Sequence, residues 1–167
     1  MRQLKSFTII GIIFVLITGS LAHFLYQWTN NNFIIGLFTP VNESIWEHMK
    51  LIFFPMLLYS FFAIPKLKTN YPCISPSLYF GILLGTLLIQ LSFYGYTCIL
   101  KKDIFILDIG TFILSIIVAF IAACKFTLSC KLKPYSFLLY GLAGILFLCF
   151  VLFTHNPPHL EIFSTPN

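Results

Sequence analysis

Residues 104–124 read IFILDIGTFILSIIVAFIAAC, an unbroken apolar run with one charged side chain, Asp108. A helix rises about 1.5 Å per residue, so roughly 20 such residues cross the ~30 Å hydrocarbon layer of a membrane. The stretch therefore predicts a transmembrane helix. The same reading holds for residues 7–26, 45–64, 78–100 and 135–153. Together they predict an all-α membrane helix bundle of five spans, a single transmembrane domain over residues 1–167.

Composition agrees. Of the 167 residues, 59% are hydrophobic and 9% charged, and the mean hydropathy is +0.94. Soluble domains carry about a quarter charged residues. A cytosolic enzyme, a disordered chain and a nucleic-acid binder are excluded; the lipid bilayer is the expected partner. The net charge of +5 then reads as membrane topology. Arg2, Lys5, Lys66, Lys68, Lys125, Lys131 and Lys133 collect at one set of span ends, against Lys50, Lys101 and Lys102 at the other. Seven against three predicts N-terminus in and C-terminus out, a cell-membrane protein, with the pair at 101 and 102 dissenting. Ser20-Leu21-Ala22 resembles a signal cleavage site, but the apolar run exceeds a signal peptide's ~15 residues, so a retained first span is expected.

Pro55 falls inside the second span and predicts a kink, its freed carbonyl satisfied by a neighbouring helix. Five cysteines show no C-x-x-C and no metal-ligand spacing. Buried free thiols are expected, Cys98 and Cys149 being the pair near enough to meet, with no disulfide framework.

The titratable groups are not spread evenly. On a five-span map His23, Glu43, Glu47, His48, Asp103, Asp108, His155, His159 and Glu161 all fall on one membrane face. For Asp103 and Glu161 this reads as solvated helix ends. Groups inside an apolar stretch are costlier and usually face the bundle or a wet cavity.

The densest segment is Thr39-Pro40-Val41-Asn42-Glu43-Ser44-Ile45-Trp46-Glu47-His48-Met49-Lys50. Thr39 is a good N-cap and Pro40 a good first helical residue. On that register Glu43 and Glu47 stack at i, i+4, Lys50 continues their stripe, and Ser44 and His48 pair on the next face. Glu43, Glu47 and His48 become candidate catalytic groups. His23, Glu47, His48, Asp108 and His159 become candidate ligands of a divalent metal such as zinc. Asn42, Trp46, Lys50 and His155 would support them. The plainer account is a helix start with acids favoured by the dipole and an exposed Glu–Lys pair.

In the tail, Pro157 and Pro158 stop the helix, so His155 and His159 form no helical ligand pair. A tail folded over the bundle mouth would offer one imidazole. On span four, Asp108, Thr111 and Ser115 form a polar stripe, with His23, His48 or Lys50 as expected partners of Asp108. Gly81 and Gly85 on span three form a small-xxx-small face for a packing partner, and Gln90 reads as interhelical glue. H-E-x-x-H, G-x-S-x-G, S-x-x-K, phosphate-loop and dinucleotide fingerprints are absent.

The motif Pro40-Val41-Asn42-Glu43-Ser44-x-Trp46-Glu47-His48-x-Lys50, the following Phe54-Pro55 and the Pro157-Pro158-His159 tail resemble a bacterial family of small polytopic membrane proteins, catalogued as a domain of unknown function. The likeness spans the chain and implies a multi-span membrane protein without supplying an activity. Three readings follow. The first is an outward-facing metal site with hydrolysis of a lipid-linked or small substrate. The second is a non-catalytic interaction or sensor module. The third is a solute or ion transporter using Lys50, Asp108, Ser115 and Gln90.

Overall fold

A computed structural model describes residues 2–102 and 104–164, so Asp103 lies outside the described residues. The elements are α1 (Arg2–Trp28), α2 (Phe33–Gly36), α3 (Ile45–Leu67), α4 (Ile74–Leu100), α5 (Phe105–Ser129) and α6 (Ser136–Phe153). Short 3₁₀ turns stand at Lys133–Tyr135 and Glu161–Phe163. All the long elements are helical, and five are long and apolar enough to cross a membrane. Most of them run past the apolar stretches into the polar flanks; α1 starts at Arg2 and α5 continues to Ser129.

Helices α1, α3, α4 and α5 close a ring in which each touches two neighbours, and α6 lies outside against α4. The two innermost helices, α3 and α4, are also the two least apolar. Lipid is as apolar as leucine, so helices associate through close packing and polar contacts rather than through hydrophobicity. The less apolar helices are accordingly the inner pair, and the most apolar ones are the most exposed. The α4–α5 contact shows the device. A Cβ on Gly81 would sit 2.9 Å from the Ala119 carbonyl, and one on Gly85 2.9 Å from the Ala119 methyl. The small-residue face of span three is thus filled by α5 of the same chain.

Helix α3 runs unbroken through Pro55 and Pro65. Proline lacks the N–H that would bond the carbonyl four residues back, so Leu51 loses its helical donor. Helix α1 faces that carbonyl with Gly19: a Cβ there would lie 2.6 Å from the Leu51 oxygen.

The expectation of free thiols is corrected at one place. Cys73 and Cys130 form a disulfide with Cα atoms 5.3 Å apart, while Cys98, Cys124 and Cys149 are free. Cys73 is the residue before α4 and Cys130 the left-handed residue after α5. Antiparallel packing of these helices along their lengths brings the two ends together. The partners are 57 residues apart in sequence, and no local spacing announces them.

Candidate metal centre

The linker from α1 to α3 is built by its asparagines. Asn30 and Asn31 both adopt positive φ (53° and 56°), which asparagine tolerates better than most residues. Asn32 then caps α2, its side chain accepting from the amides of Ile34 and Ile35. Thr39 closes this turn: its amide and hydroxyl both donate to the Ile35 carbonyl, at 3.1 and 2.9 Å. It does not open α3, which begins five residues after Pro40, at Ile45. The true N-cap is Ser44, whose hydroxyl accepts from the Glu47 amide, while the Asn42 side chain accepts from the Ser44 amide at 2.9 Å.

That register separates the two glutamates expected to stack. Glu43 lies before the helix and turns outward; Glu47 lies in its first turn and turns inward. One Glu43 oxygen, Oε2, stands 3.5 Å from His23 Nε2 and 3.4 Å from His48 Nε2. The two imidazole centres are 5.4 Å apart. Ligand atoms on a tetrahedron with ~2.1 Å bonds lie about 3.4 Å apart, the spacing required of zinc donors. Among the described residues this is the one group of three metal-ligating side chains whose donor atoms all lie within 4.8 Å of one another.

The His48 ring is fixed for the purpose. Its Nδ1 lies 2.9 Å from the Ser44 carbonyl, which only accepts, so Nδ1 carries the proton. Nε2 is then the nitrogen that faces Glu43. A carbonyl holding the far nitrogen is the usual outer support of a metal-bound histidine. His23 and His48 are half-buried, whereas the Glu43 side chain is 62% exposed, so the centre opens to one side.

Glu47 is not part of this centre. Its Oε2 accepts from Lys50 Nζ at 2.7 Å and from the Val41 amide at 3.0 Å. Lys50 is wholly buried and also donates to the Thr154 hydroxyl at 2.7 Å and the Gly36 carbonyl at 3.1 Å. The expected exposed Glu–Lys pair is thus an internal ion pair. A carboxylate held by a cation and an amide is ill placed to ligate metal or act as a base.

The remaining candidates lie elsewhere. Asp108 accepts from the Tyr96 hydroxyl of α4. His155 stacks on Phe33 with ring centres 4.2 Å apart, and its Nε2 faces the Phe33 carbonyl. His159 lines a shallow groove formed by the tail itself. The tail does fold back over the start of α3, but through Phe163, which packs on Trp46 at 4.9 Å. Trp46 otherwise lies against Phe150, its indole N–H buried without a partner among the described residues. Ser115 is buried on the face of α5 that meets Gly85, and Gln90 is half-buried on α4.

Thr154 and the carbonyls of Gly36 and Thr39 are missing from the sequence reading, and Glu43 enters it as a base rather than a ligand. One signal was present: Ser44-Ile45-Trp46-Glu47 is an S-x-x-E capping pattern, which starts the helix at Ile45 and frees Glu43 from it.

No curated protein and no solved structure matches the chain. Residues 1–166 match a family described as Family of unknown function (DUF6512), and the chain belongs to that family.

Proposed function

We propose that this is a multi-pass membrane protein that binds one divalent metal ion, zinc by its donor set, through His23, Glu43 and His48. The observation that carries the reading is the single Glu43 oxygen set between two imidazole nitrogens, one ring being held from its far side by the Ser44 carbonyl. Two nitrogens and one oxygen suit zinc, and three protein ligands leave a fourth position for water or a substrate group. The lysine distribution favours the extracytoplasmic side for this centre.

The ligands come from three segments: the last turns of α1, the linker and the first turn of α3. A bound ion would therefore join all three segments, which favours a structural or sensing role over hydrolysis. Glu47, the carboxylate nearest the centre in sequence, is engaged by Lys50 and Val41 and offers no second base. Transport draws less support, because the α3 layer beneath the centre is Ile52, Phe53 and Met56, buried and apolar.

The test is metal content after purification in mild detergent with zinc present. About one zinc per chain is expected, lost in His23→Ala, Glu43→Ala and His48→Ala and kept in His159→Ala and Asp108→Asn. Metal-free wild-type protein, or loss spread equally over all five variants, would reject the reading.

A further inference from the structure

We infer that Lys50 is a positioning residue for the His23–Glu43–His48 centre: its buried ammonium holds the linker from which Glu43 projects. The inference rests on the metal-binding reading insofar as Glu43 is counted as a ligand.

An ammonium with no exposure in an apolar bundle is costly, and an apolar side chain of similar size commonly serves stability as well. What distinguishes Lys50 is where its bonds go. None leads to the body of a neighbouring helix. Nζ lies 3.1 Å from the Gly36 carbonyl and 3.5 Å from the Thr39 carbonyl, both in the linker, and 2.7 Å from the Thr154 hydroxyl at the end of α6. Its fourth partner, Glu47 Oε2 at 2.7 Å, passes the tether on to the Val41 amide at 3.0 Å. The linker is thus gripped at Gly36, Thr39 and Val41 by one ion pair.

Glu43 lies two residues beyond the last of these points. On its other side the Asn42 side chain accepts from the Ser44 amide, and Ser44 caps α3. The backbone carrying Glu43 is therefore fixed before and after it, while the side chain itself is exposed. Without that grip an exposed carboxylate on a polar linker has no reason to remain between two imidazoles. A bare buried cation would not do this; it works because its donors are shared among carbonyls of a segment with little regular structure of its own.

Lys50→Met alone leaves Glu47 as an unpaired buried charge, so the informative variant is the neutral pair Lys50→Met/Glu47→Gln. Binding of zinc alone is measured by titration in detergent, with helicity and a monodisperse elution profile as the folding check. The neutral pair is expected to bind zinc at least tenfold more weakly than wild type. Adding Glu43→Ala to it is expected to cost nothing beyond Glu43→Ala alone, because both changes remove the same ligand. A merely structural role predicts the opposite, losses that add across the cycle, and additive losses or full zinc affinity in the neutral pair would overturn the inference.

A second readout is independent of metal. In a His23→Cys/Glu43→Cys protein, cross-linking by a short bifunctional thiol reagent is scored by mass spectrometry of the joined peptides. The yield is expected to fall severalfold when Lys50 and Glu47 are neutralised. If wild type binds no zinc and the yield still falls, the metal reading fails and the positioning role stands. If zinc binds and the yield is unchanged, the positioning role fails and the metal reading stands.

Discussion

Gly19 of α1 faces the carbonyl oxygen of Leu51 in α3, the acceptor that Pro55 leaves without its helical donor. The two features explain one another. A freed carbonyl in an apolar layer needs a polar or weakly polar neighbour, and a residue without a side chain lets the facing backbone come near it. His23 stands one turn beyond Gly19, and His48 three residues before Leu51. This tight contact between the two helices thus lies about one turn from each of the two imidazoles.

Gly19 is accordingly expected to tolerate no side chain. Gly19→Val places its Cβ 2.6 Å from a backbone oxygen that cannot swing away, so α1 must move. Overpacking of this kind costs about 1–3 kcal/mol, and the displaced His23 should weaken zinc binding tenfold or more. Gly95, whose added Cβ would meet nothing within 4 Å, is the control. Thermal unfolding in detergent and zinc titration of Gly19→Val and Gly95→Val check both halves. Equal behaviour of the two variants would refute the link between the helix contact and the centre.

The bundle was legible in the sequence because lipid imposes a length and a composition that few other structures share; residues 104–124 alone announce it. The centre was legible only in part. His48 and the glutamates lie in one short motif, but His23 is 20 residues before Glu43, and its approach depends on Asn30 and Asn31 in left-handed conformations, which a count of polar residues does not reveal. The exchange of roles between Glu43 and Glu47 follows from moving a helix start from Pro40 to Ile45. Few single boundaries matter so much, since off the helix Glu43 reaches the two imidazoles and on it would be a stacked carboxylate.

The disulfide has a direct chemical readout. Alkylation of unfolded, unreduced protein should modify three cysteines, Cys98, Cys124 and Cys149, and five after reduction. The bond closes a loop of 57 residues, and cross-links of such loops commonly contribute ~2–4 kcal/mol. Reductant, or Cys73→Ser/Cys130→Ser, should therefore lower the thermal midpoint by several degrees. An unchanged midpoint with all five thiols reactive from the start would remove the bond from the native state.

Orientation is where two physical signals on one rim oppose each other. The segments flanking Cys73 and Cys130 carry Lys66, Lys68, Lys125, Lys131 and Lys133, all exposed, which favours the cytoplasmic side. A persistent disulfide favours an oxidising compartment. Cys98 separates them, being exposed near the opposite end of α4. With the metal centre outside, a membrane-impermeant maleimide should label Cys98 in intact cells. Labelling of Cys98 only after the cells are opened would reverse the topology and make the disulfide extracytoplasmic.

The contact between Tyr96 and Asp108 should hold helices without touching metal. Asp108 sits in the first turn of α5 and accepts from a hydroxyl on the last turns of α4, joining the two helices at the end opposite the disulfide. Hydrogen bonds to charged groups contribute about 1.5–3 kcal/mol when half-buried, so Tyr96→Phe should lower stability by an amount in that range. Zinc affinity should be unchanged, because no ligand moves. The same stability loss accompanied by a tenfold fall in zinc affinity would bring Asp108 back into the centre and return the sequence-based ligand set to consideration.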